Sequence, residues 1–367
     1  MGKNIVVCCD GTSNDVTSDS TNVLRLYRSL YRGENQLAYY DAGVGTVPDP
    51  TKLTWWGKQL SRKLDMGIGH SVRENVCKAY RFLCNHYEPG DQIFLFGFSR
   101  GAYTVRALAG MIHFLGLARR ELAELDRLAW AIFADDDQSL PASKRFASGS
   151  RFRHAFGASS PVRTHFVGVW DTVSAFGFIW NLRTVPYSAS NPSIDHIRHA
   201  VAIDEHRGCF GANLFRPKNP EQHQSYKQRW FAGAHADVGG GYEERDNGLA
   251  KITLEWMYAE AEACGCQFIA EQKEYFLGRK GEGISLGDVT AKAHDSTTGL
   301  WHLLEFLPRK QWDHDSEPGK MRWFAPNLYR RRQIPSDALF HPSVAAKLRQ
   351  DPSYRPPNLP PAPVYRD

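Results

Sequence analysis

The run Asp91-Gln-Ile-Phe-Leu-Phe-Gly97-Phe-Ser99-Arg-Gly101-Ala-Tyr103 carries a short apolar strand into a Gly-x-Ser-x-Gly turn and then into a helix. This is the pattern of a nucleophile elbow, in which the serine stands on a strained turn. The flanking positions lack Cβ atoms so that strand and helix can pack closely, and Gly97 and Gly101 meet that need. The five-residue pattern alone is weak: at a glycine usage of about 7%, a chain this long produces it by accident roughly one time in ten. A second copy, Gly283-Ile-Ser285-Leu-Gly287, follows the polar run Gly278-Arg-Lys-Gly-Glu282 and leads into Asp288-Val-Thr290. With no apolar strand before it and no helix after it, it is expected to be a loop. Around Ser99, Ile93 to Phe96 is a run of buried-strand type, and Ala102 to Leu115 places apolar residues on a helical period.

The rest of the chain alternates in the same way. Ile5 to Cys9 is an apolar strand, Val23 to Tyr31 a short amphipathic helix, and Leu37 to Tyr40 a strand. Val76, Tyr80, Leu83 and Tyr87 mark one face of a helix that ends at Pro89-Gly90. Thr164 to Trp170 is a strand ending in Asp171-Thr172; Arg229-Trp-Phe231 is another, leading into a loop from Gly233 to Gly241, with a helix from Leu249 to Ala263. Strands separated by helices imply βαβ units. The expectation is an α/β-hydrolase fold: a mostly parallel central sheet, helices on both faces, and helical or loop insertions forming a cap. A single domain over 1–367 is expected, with its core over about 4–265, an insertion or cap over about 118–161, and a C-terminal extension over about 270–367.

Ser99, Asp171 and His235 all fall where a strand gives way to a turn or loop, the edge at which open parallel sheets bind ligands. Their order, Ser then acid then His, is that of α/β-hydrolases. A serine hydroxyl is a weak nucleophile near neutral pH; His235 would take its proton, and Asp171 would hold the imidazole in the right tautomer. Simpler roles stay open: Asp171 as a cap of the following turn, and His235 as a satisfied loop histidine. His235 is the one among the 14 histidines that follows an apolar strand and precedes a glycine-rich stretch downstream of both other candidates. Asp237, two residues away on the same loop, is poorly placed to orient that ring.

An oxyanion hole needs two donors. The backbone N–H of Arg100 is one; the other is expected from Asp10-Gly-Thr12-Ser-Asn14, as the N–H of Gly11 or Thr12, although this is also an ordinary turn sequence. Asp10, Asp41 and Asp237 are candidates to support these groups from behind. Together with His235 they could instead gather a divalent ion for phosphoester hydrolysis. A third reading is a non-catalytic lipid- or partner-binding protein on the same scaffold.

Val6-Val-Cys-Cys-Asp10-Gly-Thr-Ser-Asn14, Tyr39-Tyr-Asp41-Ala-Gly-Val-Gly-Thr46, Gly97-Phe-Ser-Arg-Gly-Ala-Tyr103, Gly168-Val-Trp-Asp-Thr-Val173 and Ala234-His-Ala-Asp-Val-Gly-Gly-Gly-Tyr242 together resemble the α/β-hydrolase catalytic domain of type VI secretion lipase effectors. The resemblance covers about 4–265. His196-Ile-Arg-His-Ala-Val-Ala-Ile-Asp-Glu205 looks like the family's helix between acid and histidine. The resemblance implies an esterase or A-type phospholipase acting through Ser99, Asp171 and His235; no metal or cofactor is expected.

Composition narrows the partners. The formal charge of +5 is a small excess of 45 basic over 40 acidic residues, which suits an anionic partner and not nucleic acid; with the resemblance, the expected partners are a small-molecule ester or phospholipid substrate and a transient membrane-surface contact. The dense run Arg330-Arg-Arg332 is expected on a solvated face, or against anionic headgroups. Seven cysteines at irregular spacing suit reduced thiols in a cytosolic-type protein, and Cys264-Gly-Cys266 lacks the spacing of a zinc knuckle. The N-terminus lacks the plan of a secretory signal, so any export would use a route without a cleaved leader. Leu53, Trp55 and Trp56, and the run Trp301, Leu303, Leu304, Phe306 and Leu307, are candidates for an acyl pocket or lid, or for core packing.

Overall fold

Strand residues that alternate along the chain divide into two apolar faces. In β1 (Asn4–Cys9) every residue is buried. Ile5, Val7 and Cys9 join one core, while Val6 and Cys8 join another. A strand covered on both faces has no polar side to show, so its sequence is a near-continuous apolar run rather than an alternation. The computed structural model describes residues 2–11, 20–43, 57–134, 142–158, 161–173, 185–217, 224–281, 283–297, 302, 305–306, 309–312, 321–324 and 326–367.

After β1 come α1 (Asn22–Ser29), β2 (Gln36–Asp41), α2 (Gly57–His86), β3 (Gln92–Phe98) and α3 (Arg100–Leu115). Then follow a 3-10 turn over Arg120–Leu125, α4 (Asp126–Ala134), α5 (Ala142–Phe156), β4 (Thr164–Trp170), β5 (Ile194–Ala202), β6 (Ser225–Phe231) and α6 (His235–Gly239). The chain continues through α7 (Gly248–Ala263), α8 (Ala270–Phe276), β7 (Arg309–Trp312), β8 (Met321–Phe324), β9 (Leu339–Phe340), α9 (Pro342–Gln350) and β10 (Val364–Tyr365).

Among the described residues eight strands form one sheet in the order β10-β9-β6-β5-β4-β3-β1-β2, and each neighbouring pair is parallel. β7 and β8 form a separate antiparallel ribbon. Helices α2, α3, α4 and α5 contribute Tyr80, Leu108, Trp130 and Phe152 to the core on one face; α1, α7 and α8 contribute Leu26, Met257 and Phe276 to the core on the other. Phe94, Phe96 and Phe166 are fully buried. Each such ring contributes about 2–3 kcal/mol of burial free energy.

The strand expected over Thr164–Trp170 has those bounds. One expectation is corrected: the stretch from His196 to Glu205, read as a helix, belongs largely to β5, a central strand between β4 and β6.

Strand order reverses at β1. The chain leaves β1 toward β2, then crosses back to β3 on the other side, and at such a switch point the carboxyl ends of the strands open a crevice. α3 starts at that edge. A Cβ on Gly101 would run into the carbonyl of Cys9, and one on Gly97 would stand 2.7 Å from the Cα of Ala102. The two glycines are what allow α3 to close down on β1 and β3.

Candidate active site

Ser99 lies between β3 and α3 with φ 57° and ψ −119°, a left-handed conformation that side chains other than glycine rarely adopt. Its amide donates to the carbonyl of Trp170 at 3.1 Å, tying the end of β3 to the end of β4. Asp171 follows immediately and is also left-handed, with φ 36°. Backbone strain of this kind costs on the order of 1–3 kcal/mol per residue and persists only where the surroundings enforce it.

His235 opens the short helix α6 directly after β6. Its Nδ1 stands 2.5 Å from Asp171 Oδ2 and its Nε2 stands 2.9 Å from Ser99 Oγ. An ionised carboxylate can only accept, so Nδ1 carries the proton, which leaves Nε2 with a lone pair facing the serine hydroxyl. The structure therefore brings the three expected residues into one hydrogen-bonded series. The histidine expected on a loop instead begins a helical turn.

The imidazole is enclosed by rings. Phe98 lies 4.6 Å from it, centroid to centroid, and Phe210 approaches edge-on at 4.9 Å. Burial lowers the basicity of His235, and the hydrogen bond and charge of Asp171 oppose this without cancelling it. Asp171 is fully buried. Burial alone would raise its carboxyl, but the guanidinium of Arg332, with His235, outweighs burial and holds it well below the usual carboxylate range.

Arg332 corrects the reading of the basic run as a solvated face. It is buried, 8% exposed, and grips Asp171 through two hydrogen bonds, Nη1 to Oδ1 at 2.6 Å and Nη2 to Oδ2 at 2.9 Å. The neighbouring Arg330 and Arg331 are exposed. Glu205 was also missed. It is fully buried, accepts the His235 amide at 3.3 Å and three bonds from Arg207, and is held down to about 2: burial would raise it, and Arg207 more than offsets that. Arg207 in turn covers the ring of Phe210 at 3.7 Å.

Other expected residues have different partners. The amide of Gly11 donates to Asp10 Oδ1 at 2.7 Å, so in this arrangement it is already engaged, contrary to its expected role as a ready oxyanion donor. Thr12 lies outside the described residues. The amide of Arg100 is at the first position of α3, where no intrahelical acceptor exists. Asp10 accepts from Thr21 Oγ1 at 2.5 Å and Tyr40 Oη at 2.9 Å; Asp41 accepts from the Gly43 amide at 2.9 Å. Asp237 faces His294, with Oδ1 2.6 Å from its Nδ1, and does not orient His235. Among the described residues no three His, Cys, Asp or Glu side chains are grouped to hold a metal ion. Among the described residues Cys8, Cys9, Cys77, Cys84, Cys264 and Cys266 are free thiols.

Ser285 is in a loop and its Oγ donates to the carbonyl of Glu244 at 2.6 Å. Leu53, Trp55, Trp56, Trp301, Leu303, Leu304 and Leu307 lie outside the described residues; Phe306 is 55% exposed rather than in a core. Among the described residues no helix is long and apolar enough to cross a membrane.

Comparison with known proteins adds a family. A model described as the catalytic domain of type VI secretion (T6SS) Tle1-like phospholipase effectors matches residues 3–260. An uncharacterized protein of Saccharomyces cerevisiae is 36% identical over 228 residues, 59% of this chain and 33% of that protein. A crystal structure of an uncharacterized protein from Pseudomonas aeruginosa is similar at 21% identity and a TM-score of 0.45, over 74% of this chain and 47% of that one. The Tle1 effector bound to the VgrG spike from the type VI secretion system is similar at 17% identity and a TM-score of 0.38, over 68% of this chain and 52% of that one. The chain thus spans about a third of the yeast relative and about half of each solved chain.

Proposed function

We propose a serine ester hydrolase of A-type phospholipase activity for this chain, which belongs to the family of Tle1-like phospholipase effector catalytic domains. The observation that carries the reading is the series from Ser99 Oγ to His235 Nε2 and from His235 Nδ1 to Asp171, at the carboxyl edge of a parallel sheet. The family supports a phospholipid as the ester. Its description as type VI secretion effectors supports export without a cleaved leader.

In this mechanism Ser99 Oγ attacks the ester carbonyl carbon while its proton passes to His235 Nε2. The carbonyl oxygen becomes an oxyanion, which the Arg100 amide meets at the positive end of the 16-residue helix α3. The C–O bond to the alcohol then breaks and His235 gives that proton to the leaving oxygen, leaving an acyl-Ser99. Water repeats the sequence: it loses a proton to His235, attacks the acyl carbon, and the acid departs as the proton returns to Ser99. Asp171 stays ionised throughout and stabilises the imidazolium, in keeping with its depressed carboxyl. Phe98 and Phe210 exclude water from the ring and so strengthen these interactions.

The test is fatty-acid release from phosphatidylcholine and phosphatidylethanolamine vesicles, with chelator present. The wild-type chain should release fatty acid and lysophospholipid, and Ser99→Ala should release neither. Equal release by both would remove Ser99 from the chemistry; release of diacylglycerol or phosphatidic acid in place of fatty acid, and only once a divalent metal replaces the chelator, would favour phosphoester chemistry instead.

A further inference from the structure

We propose that Arg332 is a positioning residue for the hydrolysis, so that the segment beyond the 3–260 stretch completes the site by clamping its acid. This rests on the reading of Ser99, His235 and Asp171 given above.

All five guanidinium N–H groups have acceptors. Nη1 donates to Asp171 Oδ1 at 2.6 Å and to the Ala202 carbonyl at 3.1 Å; Nη2 donates to Asp171 Oδ2 at 2.9 Å and to the Phe210 carbonyl; Nε donates to that same carbonyl at 3.0 Å. No donor is left for solvent or substrate. The backbone of Arg332 is held as well, because Asn358 Nδ2 donates to its carbonyl and to that of Ile203, both at 3.0 Å. Nearby, Tyr354 Oη donates to Asp204 Oδ2 at 2.7 Å. These bonds dock residues 326–367 against the end of β5.

The carboxylate needs this. Asp171 is fully buried, and while His235 is neutral the charge would otherwise be stranded in the interior, where an unpaired ion is costly. With Arg332 in place, Oδ1 accepts from Nη1 and from the Ala202 amide at 2.9 Å, which fixes the carboxyl plane and turns Oδ2 toward His235. A second consequence is electrostatic. The groups around the imidazole are Asp171 at the end of β4, Glu205 and Arg207 after β5, and Ser99 after β3. Arg332 sets one cation against the charge of Asp171, so His235 gains less from that carboxylate and stays neutral, and able to act as base, to lower pH.

The experiment uses the full chain and p-nitrophenyl butyrate. Arg332→Gln should lower kcat by about 100-fold with little change in KM, since a misplaced general base of this kind costs about two orders of magnitude. It should also move the acid limb of the kcat/KM profile to higher pH by about one unit. Arg332→Lys keeps the charge, so its limb should stay where the wild type has it while kcat drops, because an ammonium cannot bridge both oxygens. In Arg332→Ala, added guanidinium ion should restore part of kcat, which a purely structural loss would not allow. Wild-type kcat and an unmoved limb in Arg332→Gln overturn the proposal. If that variant does not fold, a wild-type kcat in Arg332→Lys, or no rescue of Arg332→Ala by guanidinium, overturns it. Absence of turnover in the wild type itself would instead count against ester hydrolysis. In that case the His235 Nδ1–H resonance, titrated in the wild-type and Arg332→Lys proteins, still decides whether the bidentate grip holds the ring.

Discussion

The amide of Ser99 donates to the carbonyl of Trp170, so the proposed nucleophile is bonded through the backbone to the residue just before the proposed acid. Both Ser99 and Asp171 are held at positive φ at that junction. The sheet register thus does part of the positioning, and side-chain hydrogen bonds complete it.

Strain at Ser99 gives the first prediction. Its φ and ψ of 57° and −119° are open to glycine at no steric cost. Ser99→Gly should therefore unfold at higher denaturant than wild type, by about 1 kcal/mol after the entropy cost of glycine, while Ser99→Ala, which keeps a Cβ, should not. Chemical denaturation of the three proteins decides it; equal midpoints would mean that the turn is unstrained.

Close packing at the elbow gives the second. A methyl group on Gly101 would meet the backbone of Cys9 and Asp10 rather than a movable side chain. Gly101→Ala should cost about 1–3 kcal/mol and lower kcat by moving α3 and the Arg100 amide. A variant with wild-type thermal stability and rate would show that β1 and α3 have room to part.

His235 must be neutral to accept a proton from Ser99, and burial moves its titration below the ordinary 6.5. The sign follows directly: kcat/KM falls as pH drops through that lowered value and is flat above 6.5. A profile whose acid midpoint lies at or above 6.5 would contradict the burial of the ring between Phe98 and Phe210.

Asp171→Asn should lower kcat by about 10⁴-fold, because an amide favours the wrong imidazole tautomer. Ser285→Ala, which removes only a bond to the Glu244 carbonyl, should leave kcat unchanged and cost about 1 kcal/mol of stability. Activity lost in Ser285→Ala and kept in Asp171→Asn would invert the assignment of the two Gly-x-Ser-x-Gly copies.

Local pattern reached most of this arrangement. The elbow, the strand before Asp171 and the strand before His235 are apolar runs with clear ends, and their loops necessarily share the sheet's carboxyl edge. The stretch after Ser193 misled because a strand buried on both faces has no period of two. Ile197, Ala200 and Val201 mimic a helical spacing, while the polar Arg198 and His199 find partners in Glu260 and Gln228, far along the chain. Arg332 was invisible for a related reason: a buried arginine and a surface arginine look alike until the carboxylate 161 positions away is known. The Gly11 amide shows a third limit, since its own neighbour Asp10 takes the hydrogen bond expected for the substrate.

The central claim, that Ser99 is an activated nucleophile served by His235, is tested most directly by reacting the folded chain with a fluorophosphonate and mapping the adduct by peptide mass spectrometry. A single adduct on the peptide carrying Ser99, lost in Ser99→Ala and strongly slowed in His235→Ala, is the result expected. An adduct on another serine, or labelling that persists undiminished in Ser99→Ala, would contradict the account.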